Sequence, residues 1–420
     1  MRYEAEQKMK RVYLDYAATG PIKKEVVKAM EPFFSGHFGN PSSLHRFGQE
    51  TKAALDQARE KMAQFLNCKP GEIIFTSGGT ESDNLILRGI VSRWHKPHII
   101  TSVIEHHAIL HTCKELERQG LAEITYLPVD KLGMVSVSEV KKAIRKNTIL
   151  VSIMYANNEI GTIEPIREIG KMIEKHNSQS SKQHTYFERS EKKGSRAAAR
   201  GPYFHTDAVQ AIGYLNCDVK YLHVDALSLS AHKFGGPKGV GALYIKEGIR
   251  ISPQSTGGGQ EYGKRAGTEN VPGIVGLGKA IEIIGNKSQK LKTKKISALR
   301  DRLISGVLKT IPDVVLTGHP TKRLPNSVSF CFKYIEGESI LFNLDLKGVA
   351  ASSGSACTSG SLEPSHVLLA CGFDHRTAQG SMRFTLGEAN TEAEIDYVLK
   401  ILPDIILKIR KISPYWRKNV

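Results

Sequence analysis

Residues 225–245 read DALSLSAHKFGGPKGVGALYI. An apolar run with Leu227 and Leu229 at its centre ends at Ser230, His232 and Lys233, and glycines then let the chain turn sharply. The run reads as a buried strand, and Lys233 stands at its mouth. A lysine there is an odd choice for packing alone, because its ammonium is partly desolvated.

The segments upstream repeat one pattern. EIIFTS (72–77) precedes TESDNLILRGIVSRW (80–94), HIITSV (98–103) precedes HHAILHTCKELERQG (106–120), and TILVSIMYA (148–156) precedes PIREIGKMIEKH (165–176). Each is a β-branched run followed by a helical period, which predicts parallel strands joined by crossover helices in a doubly wound α/β domain. The pattern ends near the glycine-rich STGGGQEYGKRAGTEN (255–270). Beyond it a long helical stretch, about 271–310, leads to SVSFCF (327–332) and SMRFTLG (381–387). The expected organisation is a large domain over 16–275 and a smaller α+β domain made of 276–420 together with 1–15, carrying a cysteine loop at about 351–362. One segment, SQSSKQHTYFERSEKKGSRAAARGPY (178–203), lacks an apolar period and reads as an inserted surface loop. It joins a helix to the start of a strand, so it is expected on the sheet edge away from the strand C-termini.

Composition excludes more than it identifies. A net charge of +17 on 420 residues raises nucleic acid or an acidic protein as a partner. The densest basic run, 286–302, has no interleaved aromatic residues on which bases could stack, so direct nucleic-acid binding is not expected and an acidic protein partner is preferred. The six cysteines (68, 113, 217, 331, 357, 371) form no CxxC pair, which argues against a zinc site or a disulfide framework and predicts reduced thiols in a cytoplasmic protein. No apolar run approaches the ~20 residues of a membrane span, and the N-terminal residues lack a signal-peptide core.

Three stretches carry candidate chemistry. FTSGGTESDN (75–84) leads through two glycines into a helix, read with Thr80 as N-cap and Asp83 as a capping-box partner, and such a turn suits an anion at the helix start. Taken alone it equally serves to connect two elements. In FHTDAVQAIG (204–213), Asp207 at a strand end can pair with a protonated ring nitrogen and Gln210 can hold a ring oxygen; an aspartate there can also be a helix cap. Lys233 completes the set. A lysine that forms a Schiff base, a carboxylate for a pyridine nitrogen and a phosphate cup are what pyridoxal 5'-phosphate requires of a protein.

With these in the order cup, aspartate, lysine, the chain resembles the pyridoxal-phosphate cysteine desulfurases of the IscS/NifS type, within the fold-type I aminotransferase superfamily. The resemblance runs from VYLDYAAT (12–19) to EIDYV (394–398). It is carried by nine ordered motifs: FGNPSSLHRFG, TSGGTESDN, EHHAI, NNEIGT, HTDAVQ, SAHKFGGPKG, RAGTENVPGIVGLG, SSGSACTSGSLEPSH and SMRFTLG. It implies a mainly parallel sheet with flanking helices and a smaller C-terminal domain. It also implies that Lys233 carries the cofactor, Asp207 pairs with its ring nitrogen, Gln210 meets its ring hydroxyl, and His106 stacks on the ring and transfers protons. Gly79, Thr80, Ser230 and His232 would form the phosphate site, with Thr268 reaching in from the second subunit of a homodimer. Arg383 would take the carboxylate of L-cysteine, helped by Asn157 and Asn40, with Asn157 also beside the cofactor. Residues alone do not choose between His106 and His107.

The same resemblance gives Cys357 the task of attacking the substrate sulfur, holding it as a persulfide and passing it to an acceptor such as an iron–sulfur scaffold or a tRNA-thiolation enzyme. Small residues and glycines around that cysteine predict low local stability, which suits a tethered carrier that must leave the cofactor pocket. Two positions depart from the family pattern, Gly20 where threonine is common and Tyr262 where arginine is usual. The competing readings are another fold-type I enzyme, such as an aminotransferase or selenocysteine lyase, and a non-catalytic basic RNA-binding or scaffold protein.

Overall fold

The computed structural model describes residues 11–184, 201–286, 288–353 and 363–416. Twelve strands are present among them: β1 Val12–Tyr13, β2 Ile73–Thr76, β3 His98–Ser102, β4 Glu123–Leu127, β5 Thr148–Ser152, β6 Tyr203–Asp207, β7 Ala226–Ser230, β8 Gly241–Ile245, β9 Val314–Leu316, β10 Ser327–Phe332, β11 Val349–Ala350 and β12 Ser381–Thr385. Seven form the central sheet in the order β2-β8-β7-β6-β5-β3-β4. All neighbours in it pair in parallel except β8, which runs antiparallel to β2 and β7. The reason is chain length: only residues 231–240 separate β7 from β8, and a parallel return needs a crossover of about a dozen residues or more.

Helices cover both faces, which is why β3, β5, β7 and β8 are buried along their whole length. One face packs on the helices Arg46–Leu66 and Val271–Ile284 through Leu55, Met62, Ile274, Leu277 and Ile281. The other packs on Gly79–Val91 and His107–Arg118 through Leu85, Ile86, Ile109 and Leu116. A separate core joins the antiparallel sheet β12-β10-β9 to the helices Ser288–Thr310 and Glu392–Ile412, with Val12 and Leu14 of the N-terminal segment inside it. There β1 pairs in parallel with β11.

Three local expectations change. The helical stretch about 271–310 is two helices, and position 276 lies inside the first, whose side chains belong to the large core; packing passes to the second core only with Ile296. The helix Ile166–His184 extends through the first seven residues of the 178–203 segment, while 185–200 lie outside the described residues. The chain enters β6 at Tyr203, the strand end opposite Asp207. The helix after β2 starts at Gly79, not after Thr80, because Gly78 takes a φ of 157° and caps it. Glu81 rather than Asp83 reaches back, its Oε2 accepting the Ser77 N–H at 2.7 Å.

No helix among the described residues is long and apolar enough to cross a membrane. Cys68, Cys113, Cys217, Cys331 and Cys371 are free thiols, each pushed up to about 12 chiefly by burial.

Candidate active site

The C-terminal ends of β6 and β7 and the N-terminus of the helix Gly79–Val91 open onto a cavity of about 290 Å³. Its wall brings together Gly79, Thr80, His106, Asp207, Gln210, Ser230, His232, Lys233 and Arg383 from the expected set, along with Ala17, Ala18, Asp83 and Asn158. A carboxylate and a lysine that are 26 residues apart in sequence meet here because β6 and β7 pair in register, Asp207 opposite Ser228.

Burial raises the Asp207 carboxyl to about 6, opposed by the Val209 N–H, which donates to its Oδ1 at 2.8 Å, and by the positive charge of Lys233. Lys233 Nζ donates to the carbonyls of Ala17 and Ala18 at 2.5 and 3.0 Å, and Gln210 Nε2 donates to Ala17 O at 3.1 Å. The segment after β1 thus closes the cavity from the small-domain side. His106 caps the helix His107–Arg118, its Nδ1 accepting the Ala108 N–H at 3.1 Å, which leaves the proton of the neutral ring on Nε2. Desolvation, with help from Lys233, lowers this imidazole to about 4. His107 does not line the cavity; its ring lies 4.7 Å from that of His111 and 4.9 Å from that of His366. His232 Nδ1 is 3.2 Å from Thr19 Oγ1, and burial lowers its ring to about 4 as well.

The turn at Gly78–Gly79 is tight on every side. A Cβ on Gly79 would come within 2.6 Å of Val209 Cγ2, and one on Gly241 within 2.7 Å of the Gly78 Cα. The N-terminus of the helix that starts at this turn favours an anion. These residues fit pyridoxal phosphate: a helix-start cup for the phosphate, a buried carboxylate for the ring nitrogen and a lysine facing both.

Arg383 is buried, with Nη1 donating to Asn158 O at 2.9 Å and Nη2 to Asp15 Oδ1 at 3.0 Å, while Nε has no partner. Its backbone also holds the start of the cysteine loop. Ser352 N–H donates to Arg383 O at 3.1 Å and Arg383 N–H returns to Ser352 O at 2.6 Å. The other end of that loop is tied to the same site. His366 Nε2 lies 3.1 Å from the carbonyl oxygen of Glu105, the neighbour of His106, and Ser365 Oγ donates to Glu159 Oε2. Residues 354–362, Cys357 among them, lie outside the described residues.

Three expected residues are not brought to the cavity wall. Asn157 is fully buried beneath it, with Nδ2 donating to Ile104 O and Oδ1 accepting the Glu159 and Ile160 N–H groups; Asn158 lines the cavity instead. Asn40 is exposed and accepts the Ser42 N–H in its own turn, and Thr268 is exposed as well. Sequence reasoning also missed Asp15, Asp83 and Asn158. All three lay in stretches already quoted, Asp15 in VYLDYAAT, Asn158 in NNEIGT and Asp83 in TSGGTESDN, where the capping reading absorbed its signal.

Comparison with known proteins decides the family. The class-V aminotransferase model matches residues 12–180 and 187–398. The chain belongs to that family. It is 53% identical over 412 residues, 98% of this chain and 95% of the relative, to the cysteine desulfurase IscS of Methanosarcina thermophila. It is 52% identical over 417 residues, 98% and 99% of the two chains, to the cysteine desulfurase IscS of Dictyoglomus turgidum. Among solved structures, a NifS-like protein superposes with a TM-score of 0.84 at 38% identity, covering 95% of this chain and all of the other. The break in the family match falls at 181–186, at the C-terminal end of the helix Ile166–His184 and the residues that follow it, within the inserted segment.

Proposed function

We propose that this class-V enzyme is a pyridoxal-phosphate-dependent cysteine desulfurase, converting L-cysteine to L-alanine with the sulfur carried as a persulfide on Cys357. The observation that carries the reading is convergence. Lys233, Asp207, His106 and Arg383 share one cavity; one end of the cysteine loop is hydrogen-bonded to Arg383 and the other to Glu105, the neighbour of His106. Bound in that cavity, the cofactor supplies an electron sink for charge developing at the substrate Cα.

The chain's own residues do the rest. Lys233 would hold the cofactor, and its amine is placed to move the proton at the substrate Cα. Asp207 keeps a negative charge at the ring nitrogen, Gln210 orients the ring hydroxyl, and the Gly78–Gly79 turn with Thr80, Ser230 and His232 holds the phosphate. Arg383 takes the substrate carboxylate as a fork. The Cys357 thiolate attacks the substrate sulfur: an S–S bond forms, the C–S bond breaks, and its electron pair stays on carbon, where protonation gives alanine. His106, neutral with its proton on Nε2, is placed to exchange a proton in these steps.

A homodimer accords with the exposed Phe34, Phe38, Leu44 and Phe47 around Asn40, and with Thr268 lying exposed and away from its own chain's cavity. We assign the sulfur to acceptor proteins of iron–sulfur assembly or tRNA thiolation. A reducing cytoplasm suits the free thiols. The test is the Lys233→Ala variant assayed for alanine release from L-cysteine. Loss of turnover with the fold retained supports the assignment, and wild-type turnover in the variant refutes it.

A further inference from the structure

Beneath Asp207 the strands carry a polar chain that the mechanism above leaves unused. His205 stands two residues before Asp207 on the same face of β6. Its Nδ1 lies 2.9 Å from Ser152 Oγ on β5, and its Nε2 lies 2.9 Å from Ser228 Oγ on β7. Ser228 is the register partner of Asp207, and its hydroxyl partly offsets the rise of the Asp83 carboxyl. Asp83 comes from the helix Gly79–Val91, is 1% exposed, and shares the cavity wall with Asp207. Its Oδ1 has no hydrogen-bond partner, and the nearest nitrogen of His205 is 3.7 Å from it, too far for a hydrogen bond.

Two carboxyl groups buried against one site do not both ionise. The surroundings decide which one holds the charge. Asp207 receives a backbone N–H and faces Lys233, whereas the buried Asp83 Oδ1 has no hydrogen-bond partner among the described residues. From the other walls, Arg383 is committed to Asp15 and Asn158, and His106 is neutral. Glu105, which also presses on the pair, accepts from Ser102 Oγ and the Met154 N–H through Oε1. We propose that Asp83 is a positioning residue: a buried carboxylic acid that keeps its own proton, backs Asp207 from behind and leaves Asp207 the one charged carboxylate presented to the cofactor ring.

The electrostatics agree. Burial first and Asp207 second raise Asp83 well above its ordinary value, and burial raises Asp207 to about 6. Burial lowers His205 to about 3 and raises Glu105 to about 8, so at neutral pH the chain under the ring is uncharged apart from Asp207.

The cofactor half of this proposal rests on the function assigned above; the proton on Asp83 does not. Isotope-edited infrared spectroscopy of the protein carrying labelled aspartate, at neutral pH, reads that proton directly. The carbonyl stretch of a protonated carboxylic acid is expected in the wild type and absent in Asp83→Asn. The cofactor-loaded protein gives the second readout. Asp83→Asn, which keeps a neutral polar group of the same size, keeps the cofactor and the pH midpoint of its visible band. Asp83→Leu, without a donor, loses the cofactor on dialysis about tenfold faster or more and shifts that midpoint. Thermal denaturation checks that both variants fold, and Ser228→Ala, which removes the hydroxyl under Asp83, gives a smaller shift in the same direction. No protonated aspartate in the wild type, or Asp83→Asn behaving as Asp83→Leu does, overturns the proposal. A wild type that binds no cofactor but shows the protonated aspartate overturns the functional reading instead.

Discussion

Replacing Arg383 with alanine tests how the substrate carboxylate is held. In the substrate-free protein the guanidinium is already engaged, Nη2 on Asp15 at 3.0 Å and Nη1 on a backbone carbonyl at 2.9 Å. An arriving carboxylate therefore exchanges with Asp15 at one nitrogen and adds one new bond, which Nε, without a partner, is available to make. One charge-assisted hydrogen bond contributes about 1.5–3 kcal/mol, so Arg383→Ala should raise KM for L-cysteine about 10- to 150-fold. The bond is made equally in the ground and transition states, so kcat should change little. The companion variant Asp15→Asn removes the competing charge and should lower KM. The assay is the initial rate of alanine formation against L-cysteine concentration, with the visible cofactor band confirming an intact site. A KM within about threefold of wild type in Arg383→Ala, against the ≥ 1.5 kcal/mol expected, would refute the reasoning.

Three further outcomes are expected. Glu261 and Arg59 form a bidentate pair at 2.7 and 3.0 Å that is almost wholly buried, with Glu261 also accepting the Phe75 N–H; Glu261→Ala should cost about 3–5 kcal/mol in urea unfolding, because it strands the guanidinium. Burial raises Glu164 to about 8, so the folded state holds a proton that the unfolded chain releases near its ordinary value, and this group's stability contribution is lost as pH rises through that window. Glu164→Gln should accordingly gain in melting temperature over wild type between about pH 5 and pH 8, and a constant difference across that range would count against it. Deleting residues 186–199 should leave cysteine turnover near wild type, since the flanking Ile166–His184 helix and β6 meet this segment at the sheet end opposite Asp207.

The cofactor side of the site was legible because its chemistry sits at strand ends and in turns, where residue type is not dictated by packing. Asp207 and Lys233 stand out for that reason: each is a charged group at or just beyond the end of a strand. The structure departs from the sequence reading where two neighbours of similar type compete for one place. Asn157 and Asn158 are adjacent, and only the fold of the turn, which spends Asn157 on three backbone groups, puts Asn158 at the cavity. Asp83 and Glu81 likewise compete for the helix start, and Gly78, by capping two residues earlier than expected, gives the backbone contact to Glu81 and turns Asp83 inward. The antiparallel β8 follows from a short connection rather than from the strand's composition. The break near position 286 falls between an apolar helix and a basic one that face different cores.

The most direct measurement is the visible absorption of the purified, cofactor-supplied protein before and after L-cysteine, with alanine, sulfide and protein-bound persulfide quantified in the wild type and in Cys357→Ser. The account predicts a band that shifts on substrate addition, alanine and sulfide released together by the wild type, and a Cys357→Ser protein that keeps the band but forms no persulfide. A protein with no band after cofactor is supplied, or a Cys357→Ser variant that releases sulfide at the wild-type rate, would contradict it.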